Sequence, residues 1–317
     1  DAMGERFRMA LETKVKEGIE VKLLVDAWGT GSDISFFESL IKLGAEVRIY
    51  RKMRFEKRFI SKNHCRNHRK LIVIDSSIGY IGSSNITAYC LNWRELNLRT
   101  TDSDLLSIFR RSFKDSYRSF ERYTFKKIGT KRDLHTKDWF FIQDIPDIYR
   151  QRIKTKYERL ISKAEKEILI ETPYFLPGHN LRKRLCEAAQ RGVNVVVITP
   201  IHSDVHVVDI VRRHYLGALH QAGVKLYFYT AGNLHAKGVM IDQNTFSISS
   251  ANFDYRSFRY QYELALIGKE PSLIPQLREH FDSSLKYCNS FDYQSWKRRS
   301  TIERIIELIL LPFRFLF

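Results

Sequence analysis

The sequence contains one long pattern twice, and this duplication limits the fold more than any other feature. The stretch "HRKLIVIDSSIGYIGSSN", residues 68–85, corresponds to "HAKGVMIDQNTFSISSAN", residues 235–252, with the same spacing of histidine, lysine, aspartate and asparagine. Upstream, "LIKLGAEVRIY" at 40–50 corresponds to "LHQAGVKLYFY" at 219–229. Self-similarity in the same order along a chain indicates two copies of one structural unit.

Each copy alternates amphipathic runs, a glycine and short β-branched apolar runs, which is the pattern of helix, turn and buried strand. This predicts the α/β class, with an α/β sandwich in each of two pseudo-symmetric halves. We place the first half at 1–130, the second at 131–296 and a basic, apolar amphipathic segment at 297–317. The strand "KEILIETPYF" opens the second half, and its counterpart would precede Asp1. We therefore expect the first half to lack its N-terminal strand.

The histidine and lysine of each motif lie two positions apart, so in a strand they point to the same side. Asp75 and Asp242 lie an odd number of positions further on and face the opposite side. We therefore expect these two aspartates to brace a turn, although they complete the motif. The runs "LIVI" and "GVMI" after the lysines predict buried strands. The histidines and lysines are His68, Lys70, His235 and Lys237.

Small polar side chains follow each motif in "GSSN" and "SSAN". Neutral hydroxyl and amide donors suit the oxygens of a phosphate group. The phosphate-binding candidates are Ser83, Asn85, Ser250 and Asn252.

A glutamate follows each histidine at nearly the same distance, Glu95 in "WRELNL" and Glu263 in "YQYELAL". We expect each carboxylate to hold one imidazole nitrogen of its own copy, so that Glu95 orients His68 and leaves the other nitrogen free to attack.

Two histidines at one phosphodiester meet the needs of a two-step displacement. One attacks phosphorus to give a phosphohistidine, and the other protonates the leaving alkoxide and then activates the incoming alcohol or water. The lysines and asparagines would stabilise charge on the non-bridging oxygens. This mechanism requires no metal and no other cofactor.

The composition indicates a globular protein with an anionic partner. The chain has 317 residues, 44% of them hydrophobic, which allows a sizeable core. Its 53 lysines and arginines against 36 acidic residues give a net charge of +17, which favours nucleic acid or an anionic membrane surface. The cysteines lack CxxC spacing, so we expect reduced thiols in a cytosol-facing protein. No signal peptide or bilayer span is predicted.

These motifs resemble those of the phospholipase D superfamily, in which paired HxKxxxxD motifs are followed by GSxN-like segments. The stretches "NHRKLIVIDSSIGYIGSSNI" and "NLHAKGVMIDQNTFSISSANFDYRSF" are most similar to bacterial cardiolipin synthases. The resemblance implies two α/β/α sandwich halves that share one site, a phosphohistidine and no metal. It implies attack by His68 and acid–base work by His235. The catalytic set carried over by position is His68, Lys70, Asp75, His235, Lys237 and Asp242.

The resemblance implies a phosphatidyltransferase that makes cardiolipin and glycerol from two molecules of phosphatidylglycerol. It implies a place at the cell membrane, peripheral or anchored by an upstream segment, with the catalytic part facing the cytoplasm. The C-terminal "TIERIIELILLPFRFLF" would be either a helix packed on the core or a helix resting on a membrane.

The alternative function is a phospholipase D-type phosphodiesterase that hydrolyses phospholipid or nucleic acid. Phe55 and Phe59 lie among basic residues and would stack bases while the charges follow a backbone. The same basic segment would otherwise be a solvated loop or a rim for lipid head groups. A non-catalytic binding module is disfavoured because both motif sets are complete.

Overall fold

The computed structural model describes residues 1–30, 34–50, 65–118 and 133–316. The basic segment with Phe55 and Phe59 and the expected boundary between residues 130 and 131 both lie outside these ranges.

The described strands of the first half form two small sheets and one strand that joins the other half. A parallel pair consists of β1 and β2, and an antiparallel sheet has the order β4-β5-β6. The strand β3 pairs with a strand of the second half. The bounds are β1 Lys22–Asp26, β2 Glu46–Tyr50, β3 Arg66–Asn67, β4 Leu71–Ile74, β5 Ile78–Gly82 and β6 Asn97–Thr100.

The strands of the second half lie side by side in one mixed sheet. Their order is β15-β11-β10-β9-β12-β13-β14-β8-β7, and β3 attaches to β14. The strands β9, β10 and β11 are parallel, and β12, β13 and β14 are antiparallel to one another. The bounds are β7 Asp133–His135, β8 Trp139–Asp144, β9 Glu167–Glu171, β10 Asn194–Pro200, β11 Lys225–Tyr229, β12 Gly238–Ile241, β13 Thr245–Ser249, β14 Gln261–Gly268 and β15 Cys288–Ser290.

Helices connect these strands and cover the sheets. Those of the first half are α1 Ala2–Lys16, α2 Ala27–Thr30, α3 Glu38–Lys42 and α4 Ser103–Arg118. Those of the second half are α5 Arg152–Lys163, α6 His179–Gln190, α7 His206–Gln221, α8 Tyr255–Tyr260 and α9 Leu273–Leu285. The C-terminal segment adds α10 Tyr293–Lys297, α11 Thr301–Leu310 and a 3-10 helix, Leu311–Leu316.

The turns after corresponding helices confirm the duplication at backbone level. Gly18 and Gly192 adopt φ angles of 85° and 90°, and Gly44 and Gly223 adopt 108° and 96°. Only glycine enters this left-handed region without a steric penalty, so all four helix ends are closed in the same way.

The two predicted buried strands differ in burial. All four residues of β12 are buried, which confirms the prediction for the second half. In β4, Ile72 and Ile74 are 40% and 44% exposed, so the prediction is wrong for the first half. The strand β12 lies between β9 and β13, whereas β4 pairs, among the described strands, only with β5. Burial alternates along β4, because Leu71 and Val73 pack against buried apolar residues whereas Ile72 and Ile74 project from the opposite face of the sheet, which the described residues leave uncovered.

The halves share a hydrophobic core. Ile81 and Phe109 of the first half belong to one buried cluster with Phe141, Leu264 and Phe281 of the second half. Contact between apolar surfaces from both halves fixes their mutual orientation, because separating them would return this area to water. The site residues of both halves are thereby held on one rigid scaffold.

We predict that Gly217→Ala destabilises the protein although alanine favours helices by about 1 kcal/mol. A methyl group at this position of α7 would overlap the Trp296 ring, whose Nε1 donates a hydrogen bond of 2.8 Å to the carbonyl oxygen of Arg213. Displacing the ring costs about 1–3 kcal/mol.

Urea denaturation of the wild-type protein and of Gly217→Ala measures the change in the free energy of unfolding. Gly4→Ala is the control. The nearest atom to a methyl group at Gly4 is 3.5 Å away, so this variant should be neutral or stabilised. Equal behaviour of the two variants would contradict the packing of Trp296 against α7.

Candidate active site

The histidine of each half is held by backbone of the other half. The strand β3 pairs in parallel with the start of β14, and the His68 N–H donates to the carbonyl oxygen of Tyr262 at 3.0 Å. Reciprocally, the His235 N–H donates to the carbonyl oxygen of Arg94 at 2.8 Å. The two motifs therefore meet at the junction of the halves, as pseudo-two-fold symmetry predicts.

The glutamates are exchanged between the halves as well. The Nδ1 of His68 lies 3.0 Å from the Glu263 carboxylate, and the Nδ1 of His235 lies 2.8 Å from the Glu95 carboxylate. The prediction that Glu95 orients His68 is therefore wrong in its pairing. Glu263 follows Tyr262, whose carbonyl oxygen accepts from the His68 N–H. The pairing of β3 with β14 across the halves therefore also brings the Glu263 carboxylate to His68.

The carboxylates determine the tautomer of both imidazoles. A carboxylate only accepts hydrogen bonds, so each Nδ1 carries the proton that it donates, and each Nε2 is left unprotonated. Burial, followed by the charge of Lys70, lowers the pKa of His68 to about 4. Burial, followed by the charge of Lys237, lowers the pKa of His235 to about 3. Both rings are therefore neutral at pH 7.

The two glutamates remain ionised. Burial acts to raise the pKa of Glu95, but its hydrogen bond to His235 and the nearby charges outweigh burial and lower the pKa. Burial likewise acts to raise the pKa of Glu263, but the hydrogen bond to His68 and the nearby positive charges outweigh burial and lower the pKa. An ionised carboxylate on each Nδ1 stabilises the imidazolium that forms when Nε2 takes a proton.

The two lysines place like charges in the site, with Lys237 buried and Lys70 partly buried. Lys70 Nζ donates to the carbonyl oxygen of His68 at 2.9 Å, and Lys237 Nζ donates to that of His235 at 2.7 Å. Burial lowers the pKa of Lys70 to about 8, and burial together with the charge of Lys70 lowers that of Lys237 to about 7. A site that disfavours its own positive charges in this way gains most by binding an anion.

The serines do not lie where the sequence predicts them. Ser83 and Ser250 are fully buried, and their hydroxyls donate to Glu95 and Glu263. A hydroxyl has one hydrogen, so neither serine has a donor left for a phosphate oxygen. The prediction of direct phosphate binding by these serines is replaced by a role in holding the carboxylates.

The two asparagines differ in exposure. Asn252 is 4% exposed, and its Oδ1 accepts no hydrogen bond from the described residues. Its side chain is hydrogen-bonded to Asp254. Asn85 is exposed, and its side chain is hydrogen-bonded to the thiol of Cys90. The buried amide has a fixed orientation, whereas the exposed one faces solvent.

The motif aspartates lie at the far ends of their strands from the lysines. The Asp242 carboxylate accepts from the backbone N–H groups of Glu165, Lys166 and Glu167 at 3.1, 2.7 and 3.1 Å. Its φ angle is 51° and that of Asp75 is 50°. Asp242 thus braces a turn, as strand parity predicts. Asp75 is exposed, and its carboxylate accepts no hydrogen bond from the described residues. The prediction that Asp75 braces a turn is therefore wrong among the described residues, because no backbone N–H reaches its exposed carboxylate.

Arg94 is a residue of the site that the sequence analysis did not find. Its carbonyl oxygen holds the His235 backbone, and its guanidinium donates to Ser284 Oγ at 3.0 Å and to the His280 carbonyl oxygen at 2.8 Å. It thereby ties the segment next to Glu95 to α9. Its position in "WRELNL", beside a candidate carboxylate, is the signal that could have found it.

Within the described residues no group of three or more His, Cys, Asp or Glu side chains is placed to hold a metal ion. In the same ranges no helix has both the length and the apolarity to cross a bilayer.

Two like halves that exchange strands and carboxylates around a paired histidine and lysine site define the phospholipase D class. The chain matches a family model described as "Cardiolipin synthase, PLD-like domain" over residues 3–117 and 157–285. It is 31% identical to a cardiolipin synthase of Clostridium perfringens (strain SM101 / Type A), with 98% of this chain and 68% of that protein covered.

The chain is also 30% identical to the major cardiolipin synthase ClsA of Bacillus subtilis (strain 168), over 98% of this chain and 66% of that protein. Among solved structures it is similar in fold to the phosphatidylserine synthase of Haemophilus influenzae Rd KW20, with a TM-score of 0.68 and 10% identity. That match covers 99% of this chain and 94% of the other. The chain belongs to the cardiolipin synthase family of PLD-like domain proteins.

We predict that the pairing of each histidine with the glutamate of the other half can be measured as a coupling free energy. A double-mutant cycle of His68→Ala and Glu263→Ala should give a coupling of about 1–3 kcal/mol in the free energy of unfolding. The cycle of His68→Ala and Glu95→Ala is the control and should be additive within about 0.5 kcal/mol. Chemical denaturation measures both, and the reverse ranking would contradict the crossed arrangement.

We also predict that Lys237→Met stabilises the fold by about 2 kcal/mol at pH 7, because it removes a buried charge beside Lys70. The pKa of Lys237 is about 7 in the folded protein against an ordinary value of 10.5, so the unfolded chain binds more protons between these values. The amount by which Lys237 lowers the free energy of unfolding is therefore greatest below pH 7 and disappears as the pH rises towards 10.5.

Thermal unfolding across this pH range measures the effect, with Lys225→Met on the surface of β11 as control. A gain from Lys237→Met that grows with pH would contradict the buried like-charge pair.

Proposed function

We propose that this chain transfers a phosphatidyl group from one phosphatidylglycerol molecule to a hydroxyl group of a second, which releases glycerol and forms cardiolipin. The observation that carries the proposal is the pair of neutral imidazoles, each held at Nδ1 by a carboxylate of the other half, beside the buried Lys237 and the partly buried Lys70. The family membership supports the lipid substrate.

The lysines provide the binding energy for the phosphodiester. Its single negative charge lies between Lys70 and Lys237, which have no carboxylate partner within ion-pair distance among the described residues. Binding the anion offsets the repulsion between the two cations, and their N–H groups bind the non-bridging oxygens. The buried amide of Asn252 has a second N–H besides the one that bonds Asp254, and this N–H would be a further neutral donor.

In the first step His68 attacks phosphorus. The Nε2 lone pair forms a nitrogen–phosphorus bond, and the bond from phosphorus to the oxygen of the glycerol head group breaks. The proton on Nε2 of His235 passes to this oxygen, and glycerol leaves. Glu263 stabilises the positive charge that develops on His68, because it accepts the Nδ1–H.

His235 must be protonated to act as the acid, although its pKa is about 3 in the free site. A bound phosphodiester supplies a negative charge that counteracts the effect of the two lysines, so the pKa of His235 rises on substrate binding. In the second step neutral His235 takes the proton of the acceptor hydroxyl while that oxygen attacks phosphorus and the bond to His68 breaks.

Association with a membrane follows from this substrate, which resides in a bilayer. We propose peripheral contact of the catalytic part with an anionic lipid surface, and the charge of +17 supports it. Hydrolysis of phospholipid or of nucleic acid uses the same histidines with water as the acceptor, and both reactions are outcomes of the test below.

The test is incubation of the purified protein with vesicles of labelled phosphatidylglycerol and, separately, with single-stranded and duplex DNA. We expect cardiolipin and glycerol in equal amounts. Phosphatidic acid without cardiolipin would make the protein a hydrolase, and cleavage of DNA alone would refute the lipid function. His68→Ala and His235→Ala should each lower the rate by at least about 1,000-fold. A fully active variant of either kind would contradict the two-histidine mechanism.

The order of the histidines is tested with phosphatidyl-p-nitrophenol, whose leaving group needs no proton. We predict that His235→Ala still releases a burst of p-nitrophenol and retains the phosphatidyl group on His68, because only the acid–base group has been removed. His68→Ala should give no burst. Mass spectrometry locates the modified residue, and modification of His235 in His68→Ala would reverse the assignment.

A further inference from the structure

The helix α11 exposes its apolar side and buries Glu307. Glu307 is only 2% exposed. The helix contributes five large apolar side chains to the surface: Ile302 at 69%, Ile305 at 49%, Ile306 at 41%, Leu308 at 55% and Ile309 at 61% exposed. A helix that packs on a protein core normally has the opposite orientation. Burial of apolar area therefore does not explain how α11 is oriented.

Polar interactions set the orientation instead. The Glu307 carboxylate pairs with Arg299 at 2.9 Å, and Glu303 pairs with Arg213 of α7 at 3.3 Å. Ser300 and Glu303 form a reciprocal capping box at the first turn. These bonds turn the acidic side of α11 towards the protein, so its isoleucines point outward.

The exposed isoleucines form a continuous stripe. Residues 302, 305, 306 and 309 follow the spacing of one helix face, and Phe313, 53% exposed, lies one turn further on. A stripe of this kind marks a surface that contacts another apolar phase or molecule. The sequence left open whether this helix packs on the core or rests on a membrane, and in the structure one side of it packs on the protein while the isoleucine stripe faces outward.

The charges beside the stripe indicate what covers it. Lys297, Arg298 and Arg304 are exposed around the start of α11. The acidic residues of this segment, Glu303 and Glu307, are both engaged in ion pairs. The exposed surface is thus apolar in the middle and cationic at its border, which matches the acyl and head-group layers of an anionic bilayer.

A second copy of the chain fits this surface less well. Two copies would bring together chains that each carry a net charge of +17, and like net charge opposes association. Anionic head groups neutralise the cationic border.

The far end of α11 lies beside the candidate active site. Leu310, Leu311 and Phe315 pack in one cluster with Leu176 and Tyr255. The Leu176 N–H donates at 2.8 Å to the carbonyl oxygen of Phe253, the residue that follows Asn252. A surface in contact with α11 therefore lies next to the segment that carries the buried asparagine.

We propose that α11 is an interfacial helix that lies in the head-group region of an anionic bilayer and presents the active site to lipid there. The choice of a bilayer as the occupant rests in part on the proposed function, because that substrate resides in a bilayer.

The test is sedimentation of the full chain with vesicles of phosphatidylglycerol and phosphatidylethanolamine, with phosphatidylcholine vesicles as the neutral reference. The double variant Ile305→Glu/Ile309→Glu should bind the anionic vesicles at least about tenfold more weakly, because two side chains no longer enter the apolar layer. Ile148→Glu is the matched control, since Ile148 is 51% exposed and lies outside the C-terminal segment. It should bind as the wild type does.

A second variant tests the cationic border without placing acid on the stripe. Lys297→Gln/Arg298→Gln/Arg304→Gln should lose at least about tenfold of its preference for anionic over neutral vesicles. Circular dichroism confirms that each variant is folded, and the exposed positions make this the expected result. Unchanged vesicle binding by both variants would overturn the proposal.

Two further measurements separate the alternatives. Light scattering without lipid measures the oligomeric state of the protein. A wild-type dimer that the double variant Ile305→Glu/Ile309→Glu dissociates would overturn the proposal. On phosphatidylglycerol dispersed in detergent, this variant should retain wild-type turnover, while its turnover on vesicles falls at least about tenfold. Wild-type protein that binds vesicles through α11 but forms no cardiolipin would refute the proposed function and leave the membrane contact standing.

Discussion

The exchange of hydrogen bonds between the halves is the interaction on which the active site depends. Each histidine takes its backbone acceptor and its carboxylate from the opposite half. Neither half alone can therefore fix the tautomer of its imidazole, and the shared apolar core keeps the two halves in register. Duplication followed by exchange converts two incomplete sites into one complete site, and this is why the residues of both copies are needed.

The electrostatics of the site follow from burial combined with like charge. Burial lowers the pKa of both histidines and both lysines. The charges of both lysines lower the pKa of the histidines further, and the charge of Lys70 also lowers the pKa of Lys237. The free site is consequently short of negative charge, which is the state that a phosphodiester relieves. The energetic cost lies in the folded protein before any substrate arrives, as is typical of preorganised sites.

Sequence parity and spacing predicted several features that are local to a strand. The turn-bracing position of Asp242 and the buried strand β12 both agree with what the pattern of the second motif predicts. The same reasoning was wrong for β4, because the described residues cover only one face of its sheet and an apolar run does not show how many faces the fold will cover. It was also wrong for Ser83 and Ser250, because one hydroxyl hydrogen can serve either a phosphate or a carboxylate, and the fold supplies the carboxylate.

The sequence by itself determined that the chain has two similar α/β halves and which residue types gather at the site, because both facts are written in repeated spacing. Only the tertiary structure decided that Glu263 serves His68 and Glu95 serves His235, since this pairing arises where β3 joins β14 across the halves. It also decided that α11 turns its isoleucines outward, because Glu303 pairs with the distant Arg213 of α7 and the end of the helix packs against Leu176 and Tyr255. Contacts between segments far apart in the chain set both outcomes, and no local pattern encodes them.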